Sequence, residues 1–341
     1  MSLVVDQVVK RFGPVVALDG LSFTVADGEM FGFLGANGAG KTTTMRIALG
    51  VVRADAGRIT WRGRASEELP RRTWGYLPEE RGLYHRMLVV DQLVYFGQLY
   101  GLSRERAGRE ARSWLARFRV ADLAERRTEE LSKGNQQKIQ LIAAVLHDPE
   151  ILLMDEPFTG LDPVNVTLLR EAFLDLRRDG KTIVFSTHQM ETVETLCGSV
   201  AIIDRGRLVV GGALRDVKRS TGRLAVRIGF GSATETAWLD QLPGVRVVRR
   251  GTDEAEVALD PAVEPDSVLA AALGRGLRIR RFEVLEPSLE QIFLERVGRR
   301  ADEEPAGVVP AATDRPPGRI GPRAGSDDRD AVGEQPVGTA P

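Results

Sequence analysis

Cysteine and net charge are the two features that this sequence most plainly lacks. Cys197 is the single cysteine among 341 residues, so an intrachain disulfide and a multi-cysteine zinc site are both excluded. Because no metal-ligating residues stand beside it, we expect Cys197 to be a small buried hydrophobic residue. The formal net charge is −1, which removes the electrostatic argument for nucleic acid or an anionic membrane as the main partner.

Long apolar segments are missing as well. No uninterrupted apolar run approaches the roughly 18 residues that would span a bilayer. The N-terminus, M-S-L-V-V-D-Q, lacks the charged and then apolar pattern of a signal peptide. We therefore expect a cytosolic chain that does not itself span a membrane. A length of 341 residues is sufficient for two domains with cores of their own.

The stretch from Gly35 to Thr42, G-A-N-G-A-G-K-T, has the features of a phosphate-binding loop. It lies between the apolar run Met30 to Leu34 and a helix-like run from Thr42 to Leu49, which is the context that such a loop requires. Its glycines let backbone N–H groups point at phosphate oxygens, and the positive end of the new helix favours an anion. The residues predicted to bind nucleotide here are Gly35, Asn37, Gly38, Gly40, Lys41, Thr42 and Thr43.

Within this loop, Lys41 and Thr42 carry the chemistry. Lys41 supplies a positive charge for the β- and γ-phosphates of ATP, and Thr42 offers a hydroxyl to Mg²⁺. A glycine-rich turn that merely joins a strand to a helix is the structural alternative. A phosphate loop alone is also compatible with kinases, GTPases, helicases and transporters, so the remaining motifs have to discriminate among these classes.

An acidic pair, Asp155 and Glu156, follows the short apolar run Ile151 to Met154. Such a run is typical of a strand buried on both faces of a parallel sheet. Because ligands collect at the carboxyl ends of such strands, we expect both carboxylates to face the phosphate loop. Asp155 is predicted to hold Mg²⁺ directly or through water, and Glu156 to act as the general base for the attacking water. The alternative is a pair of solvated turn residues.

The segment L-S-K-G-N, from Leu131 to Asn135, precedes the amphipathic run Gln136 to Leu146. Ser132 is therefore predicted to be the N-cap of a helix that starts near Gly134. A helix start is an anion site, and a serine hydroxyl beside a glycine suits a terminal phosphate. An ordinary capped helix is the alternative, and the position of the segment shortly before the acidic pair favours the phosphate interpretation.

These three segments together resemble the nucleotide-binding subunits of ATP-binding cassette transporters, over roughly Leu3 to Gly212. The resemblance implies that Phe12, in K-R-F-G, stacks on adenine. It implies that the loop Gly160 to Asp162 crosses to a partner subunit. It also implies that His188, in F-S-T-H, contacts the γ-phosphate and keeps the attacking water in place.

Two segments depart from the pattern of this family. The position after Tyr-Leu-Pro, where the family usually has a glutamine, is Glu79, whose carboxylate can still ligate Mg²⁺ but adds negative charge beside a triphosphate. The signature segment has Lys133 and Asn135 where Gly and Gln are common, and Lys133 can help to neutralise the phosphate of a partner's nucleotide. The predicted magnesium ligands are Thr42, Glu79 and Asp155.

The strings Y-L-P-E-E-R-G-L-Y and L-S-K-G-N-Q-Q-K are similar to one branch of the family, the bacterial exporters of the sodium and drug efflux type. The closing segment E-P-S-L-E-Q-I-F-L, Glu286 to Leu294, is similar to the tail domain of that branch. The resemblance implies an integral membrane permease as partner, a homodimer or cassette heterodimer, and a peripheral position on the cytoplasmic face of the membrane.

Three regions are predicted along the chain. Residues 1–214 are expected to form an α/β P-loop NTPase cassette, with a parallel-sheet core, an antiparallel β edge subdomain and a helical signature subdomain. Residues 215–298 show the order β-α-β-β-α-β, which indicates a small ferredoxin-like α+β domain. Residues 299–341 are rich in Pro, Gly, Ala, Asp and Arg with few large apolar residues, so they are expected to be a disordered tail.

The function predicted from these motifs is that of an ATPase whose two cassettes pair head to tail. Each ATP, with Mg²⁺, would lie between the Lys41 loop of one subunit and Ser132 and Gly134 of the other. A chromosome-structure or translation-factor ATPase is the mechanoenzyme alternative, but the first needs a long coiled-coil insertion and the second carries two cassettes in one chain. A small-molecule kinase has no need of L-S-K-G-N.

Overall fold

The computed structural model describes residues 2–80, 82–220, 224–233 and 236–303, with side chains described as far as residue 296. The strands, numbered in chain order, are β1 Ser2–Phe12, β2 Val15–Ala26, β3 Met30–Leu34, β4 Ala56–Trp61, β5 Arg64–Ala65, β6 Trp74–Leu77, β7 Ile151–Asp155, β8 Thr182–Thr187, β9 Ser199–Asp204, β10 Arg207–Ala213, β11 Leu224–Phe230, β12 Val245–Arg250, β13 Glu254–Leu259 and β14 Ile279–Leu285. The α-helices are α1 Lys41–Ala48, α2 Val89–Leu99, α3 Arg104–Arg117, α4 Lys133–Val145, α5 Pro163–Arg178, α6 Met190–Leu196, α7 Leu214–Arg219, α8 Pro265–Gly274 and α9 Leu289–Glu303.

The central sheet has six strands in the order β10-β9-β3-β8-β7-β6. All neighbouring pairs are parallel except β9 with β10, so one antiparallel strand closes one edge. Strands β3 and β7 are buried along their whole length, as their continuous apolar sequences predict for strands covered on both faces. The carboxyl ends of the five parallel strands therefore meet at one edge of the sheet.

Two hydrophobic cores lie on the two faces of this sheet, because alternate residues of a strand point to opposite sides. On β7, Leu152 and Met154 join the core that contains helices α2 to α6. Ile151 and Leu153 join the other core, which is shared with α1 and the antiparallel sheet. The parallel sheet is thus the middle layer of the cassette.

The second sheet is the antiparallel edge subdomain, in the order β2-β1-β4-β5. Strand β1 lies between β2 and β4, and Leu3 pairs with both Val25 and Trp61. These three side chains are buried in the second core, so the sheet packs one face on the cassette. The predicted fold class of the cassette, with its parallel core and antiparallel edge subdomain, is confirmed.

Helices α2, α3 and α4 form the predicted helical lobe, together with short 3-10 turns at Ala121–Leu123 and Thr128–Glu130. Apolar residues on α2 recur at three- and four-residue spacings, and this pattern indicates that the aromatic residues Phe96 and Tyr100 belong to the core. Phe96 packs against the core that contains Leu93, whereas Leu99, which shares the spacing, is 62% exposed. The buried face of α2 carries Val90, Leu93 and Gly97, and Leu99 at the end of the helix lies on its opposite face.

Helices α4 and α5 both begin at a residue whose side chain caps the helix. The Ser132 side chain accepts a hydrogen bond from the Asn135 N–H, so Ser132 is the N-cap of α4 as expected. The Asp162 carboxylate caps α5 in the same way, by accepting from the Asn165 N–H at 3.0 Å. None of the helices in the described part of the chain is long and apolar enough to cross a bilayer.

A third sheet follows the cassette, in the order β12-β13-β11-β14, with every neighbouring pair antiparallel. This order, with helical segments after the first and third of its strands, is the ferredoxin-like arrangement that the sequence predicted. The first segment, Ala237–Gln241, is a 3-10 helix in place of an α-helix, and the second is α8. The sheet has its own core, which includes Val226, Val257 and Val268.

Helix α9 packs on the cassette through its first turn. Leu289 and Ile292 are buried in the core that also contains Val193, Leu196 and Val217. The helix continues to Glu303, so the first five residues of the predicted tail are helical, and residues 304–341 lie outside the described part of the chain. The domain boundary at residue 214 stays a prediction, because α9 joins the core on the cassette side.

Candidate nucleotide-binding and hydrolysis site

The phosphate loop lies between the carboxyl end of β3 and the start of α1. Gly40 has φ +110°, and a Cβ there would lie 2.7 Å from the Ala17 carbonyl oxygen, so only glycine fits both the conformation and the space. Gly38 has φ +80° and faces open space. The loop therefore combines a tightly packed base with a free edge, which an anion can approach closely.

The Lys41 side chain is buried at the base of this loop. Its ammonium donates to the carbonyl oxygens of Gly35 at 2.8 Å and Ala36 at 3.2 Å. It also lies 4.0 Å from Oε1 of Glu156. These two carbonyl groups use two of the three ammonium hydrogens, so one donor remains for a phosphate oxygen.

The Asp155 carboxylate is buried and accepts a hydroxyl on each oxygen. Thr42 Oγ1 donates to Oδ2 at 2.5 Å, and Ser186 Oγ donates to Oδ1. Ser186 is on β8, the strand between β3 and β7, so the sheet order brings Asp155 to the phosphate loop. A hydroxyl and a carboxylate in contact are the hard oxygen donors that Mg²⁺ takes in nucleotide sites.

A magnesium ion fits this donor set with help from the nucleotide. Among the described residues, no group of three or more His, Cys, Asp and Glu side chains has the geometry to hold a metal by itself. Mg²⁺ usually keeps several waters and binds through one or two carboxylates plus substrate phosphates. Thr42, Asp155 and Glu79 line one cavity, which matches that mode.

Glu156 is buried and forms hydrogen bonds with three residues. Its N–H donates to the backbone oxygen of Ser186 at 3.1 Å, and Thr159 Oγ1 donates to its Oε2 at 3.1 Å. His188 Nδ1 lies 3.0 Å from Oε1, and because a carboxylate only accepts, Nδ1 carries the proton. Glu156 also has φ +49°, an uncommon conformation for a residue other than glycine, as found at functional sites.

The cavity at this site has a volume of about 360 Å³ and a mainly polar lining. Nine residues predicted from the sequence line it together, namely Asn37, Gly38, Gly40, Lys41, Thr42, Thr43, Glu79, Asp155 and Glu156. His188 joins the group through Glu156. The arrangement gathers a cation and three carboxylates around one space that fits a polyphosphate, with a histidine bonded to one of the carboxylates.

Glu79 reaches this cavity from the loop after β6. The neighbouring Tyr76 is largely buried, and burial, with a smaller effect of the Asp155 carboxylate, raises the pKa of its hydroxyl. The loop is held on its other side by α4, since Gln140 Nε2 donates to the carbonyl oxygens of Pro78 and Glu80, each at 3.1 Å. The backbone on either side of Glu79 is thus bonded to α4, while Glu79 lines the cavity.

Three groups of predicted residues lie apart from the cavity. Ser132 and Gly134, at the start of α4, are not among its lining residues. Phe12, at the end of β1, is 49% exposed, with Lys10 Nζ 5.3 Å from its ring centroid. Gly35 does not line the cavity either, but its carbonyl holds Lys41.

The sequence reasoning missed Ala17, Thr159 and Ser186. Ala17 lines the cavity from β2 and no motif marks it. Thr159 and Ser186 hold the two carboxylates, and both stand inside segments already singled out, D-E-P-F-T and F-S-T-H. A hydroxyl at the end of a strand next to the acidic strand was the available indication for Ser186.

A phosphate loop after a parallel strand, with an acidic pair at the end of a neighbouring strand of the same sheet, defines a P-loop ATPase. Residues 18–159 match the family described as "ABC transporter", and residues 212–297 match the "ATP-binding protein DrrA1-3-like, C-terminal domain". The chain belongs to the ATP-binding proteins of ABC transporters, and it is an ATPase.

Individual relatives agree with this membership. The ABC transporter ATP-binding protein YhaQ of Bacillus subtilis is 46% identical, over 87% of this chain and 98% of its own length. The Nod factor export ATP-binding protein I of Rhizobium sp. is 36% identical, over 86% of this chain and 96% of its own. A solved ATP-binding subunit of an ABC transporter is 32% identical, with a TM-score of 0.61 over 65% of this chain and 94% of its own.

Proposed function

We propose that this chain is the nucleotide-binding subunit of an exporter, in which two cassettes pair head to tail on ATP and drive a separate membrane permease. The observation that carries the proposal is the gathering of Lys41, Asp155 and Glu156 around one polar cavity, with His188 bonded to Glu156. Similarity to a Nod factor export ATP-binding protein supports the direction of transport. Both a homodimer and a cassette heterodimer fit this proposal.

The hydrolytic roles follow from the positions of the side chains. Lys41 and the loop N–H groups bind the phosphates, while Thr42, Asp155 and Glu79 offer oxygens to Mg²⁺, which neutralises phosphate charge when bound. Glu156 accepts a proton from the water that attacks the γ-phosphorus, as the bond from phosphorus to the bridging oxygen of ADP breaks. His188 orients the Glu156 carboxylate through Oε1, and we assign it the γ-phosphate contact as well.

A dimer is proposed because three of the predicted nucleotide contacts, Phe12, Ser132 and Gly134, lie outside the cavity of their own chain. Ser132 is exposed at the start of α4, a helix of 13 residues whose N-terminus favours an anion. A second subunit placed head to tail would bring this helix start, with Gly134, to the phosphates bound at Lys41. Phe12 would cover the adenine end.

The membrane partner is supported by an exposed aromatic group on the helical lobe. Tyr84 and Tyr95 are both exposed, with ring centroids 5.9 Å apart, and Leu99 is exposed on the same helix as Tyr95. Tyr84 lies in the loop that follows Glu79, so a permease seated here would respond to the nucleotide site. In this arrangement the chain lies on the cytoplasmic face of the membrane.

The head-to-tail pairing is tested by mixing two inactive chains. Lys41→Ala removes the phosphate-binding charge, and Ser132→Asp keeps an N-cap residue but places a carboxylate towards the partner's phosphate. Each chain alone should be inactive. A mixed dimer retains one intact site, so an equimolar mixture should recover about a quarter of the wild-type ATPase rate by random pairing. A mixture no more active than its components would place both residues in the same subunit's site.

A further inference from the structure

Helix α4 carries two buried glutamines on the side that faces the acidic loops. Gln137 and Gln140 are 6% and 4% exposed. Gln137 Nε2 donates to the carbonyl oxygen of Pro157, the residue after Glu156, at 3.2 Å. Gln140 Nε2 donates to the carbonyl oxygens of Pro78 and Glu80. The helix therefore holds both loops that present carboxylates to the phosphate cavity.

The Gln140 contacts enclose Glu79 in particular. Pro78 and Glu80 are the residues on either side of Glu79, and one carboxamide nitrogen bonds both of their carbonyl oxygens. The two hydrogens of a single NH₂ group are thereby used, so the three-residue segment has one backbone position relative to α4. In that position Glu79 lines the phosphate cavity.

The carboxamide oxygen of Gln140 indicates that the side chain serves as a hydrogen-bond donor and not as an acceptor. Oε1 of Gln140 is buried and has no hydrogen-bond partner within the described part of the chain. A buried polar atom left without a partner costs free energy, so an apolar side chain would be the more stable choice here if packing were the only requirement. The residue type is therefore explained by the two carbonyl groups beside Glu79.

We propose that Gln140 is a positioning residue that holds Glu79 towards the metal and phosphates of its own site. The proposal rests on the magnesium role proposed for Glu79. Gln140 lies six residues after Gly134 on the same helix, which is roughly 9 Å along its axis. The segment that would meet the partner's nucleotide and the loop that carries Glu79 are thus joined by one rigid element.

The first test measures the loop without nucleotide or metal. Gln140→Met keeps the length and helix propensity of the side chain but removes both donors. Backbone amide hydrogen exchange within residues 77–80 should then speed up roughly tenfold in the nucleotide-free protein, because the loop opens more often. The matched control is Gln92→Met on α2, a buried glutamine that also has an unpartnered Oε1 and donates to Thr128 instead. The control should leave this loop unchanged.

The second test asks whether Gln140 acts through Glu79. A magnesium titration of the ATPase rate compares Gln140→Met in the wild-type and in the Glu79→Ala background. We expect the substitution to shift the half-maximal magnesium concentration by about threefold or more in the first, and to have no further effect in the second. Equal shifts in both backgrounds, or loop exchange that matches the Gln92→Met control, would overturn the proposal.

Two further measurements distinguish a wrong proposal from a variant that does not fold or a protein that is not an ATPase. If Gln140→Met does not fold, Gln140→Asn carries the same test, because the shorter amide cannot reach both carbonyl oxygens in their present positions. Hydrolysis by the wild type, and its loss in Lys41→Ala, test the ATPase function without reference to Gln140. If both hold while the loop exchange in the Gln140 variant stays at the wild-type rate, only the positioning role is wrong.

Discussion

At the scale of single residues, the site depends on how each carboxylate is held. Both Asp155 oxygens accept hydroxyls, which leaves the carboxylate in one orientation towards Thr42. Glu156 instead accepts from Thr159 on one oxygen and from His188 on the other. The two neighbouring carboxylates thus have different surroundings, and these support the different roles proposed for them, metal ligand for Asp155 and general base for Glu156.

Replacing Glu156 with glutamine should abolish turnover while ATP binding persists. The amide keeps the size of the side chain but cannot accept a proton, so we expect the rate to fall by roughly 10²–10⁴-fold. ATP affinity, measured by titration calorimetry, should stay near the wild-type value, and the ATP-bound protein should shift towards a dimer in sedimentation. Glu150→Gln, an exposed carboxylate just before β7, is the matched control. Near-wild-type hydrolysis by Glu156→Gln would remove Glu156 from the role of base.

At the scale of secondary-structure elements, α9 is the unexpected contact. The sequence assigned E-P-S-L-E-Q-I-F-L to the accessory domain, but its first turn packs into a cassette core. The attachment is also polar, because the Leu289 N–H donates to Glu194 Oε1 at 2.6 Å, while Glu194 Oε2 accepts from Lys218. Glu194 lies on α6, the helix that follows His188, so α9 is bound to the element next to that histidine.

Leu289→Ala should therefore destabilise the chain as a core substitution does. Leu289 is fully buried, and removing a buried leucine side chain costs about 2–5 kcal/mol, depending on how far the site collapses. Leu294→Ala on the same helix is the control, because that side chain is 62% exposed. Urea denaturation of both variants gives the comparison. Equal midpoints for the two would show that α9 is not part of the cooperative core.

At the scale of the whole molecule, one histidine links the helical lobe to the central sheet. His147 stacks on Tyr100 at 3.8 Å between ring centroids, and its Nε2 bonds the Trp74 carbonyl oxygen at 3.0 Å. Its Nδ1 is buried without a partner in the described part of the chain. Burial is the main effect and lowers the pKa of His147, so the native protein resists protonation at this ring.

The stability of the chain should consequently fall in mild acid. The unfolded His147 takes up a proton near its ordinary pKa of about 6.5, whereas the native ring does so only at lower pH. The contribution of His147 to the free energy of unfolding is fully present above a pH of about 6.5. Below that pH it declines by at most about 1.4 kcal/mol per pH unit for one proton. His147→Phe should remove this part of the dependence between pH 7.5 and 5, and the exposed His85→Gln should not. Identical pH profiles for His147→Phe and wild type would contradict the assignment.

Family membership decides among the functional classes that the motifs left open. The relatives match most of the chain, and their names are those of ABC transporter ATP-binding proteins. This excludes the small-molecule kinase and disfavours the non-transport mechanoenzymes. The accessory sheet and α9 then belong to a transporter subunit, in which α9 contacts α6, the helix that follows His188.

The sequence by itself determined the parts that depend on local pattern. The bounds of β3 were predicted correctly, because an apolar run is a property of consecutive residues. The phosphate loop, the acidic pair and the Ser132 cap were found for the same reason, since each lies within a few residues of chain.

Only the tertiary structure decided the contacts between distant segments. Ser186 reaches Asp155 because β8 lies between β3 and β7, and Gln140 reaches Glu80 across sixty positions of sequence. Leu99 has core-like spacing, yet the neighbouring elements cover the other face of its helix. Periodicity predicts the type of a single element and the side chains that share one of its faces. Strand order and the packing of helices on the sheet determine which side chains meet, because the free energy of burial depends on contacts between elements that are distant in sequence.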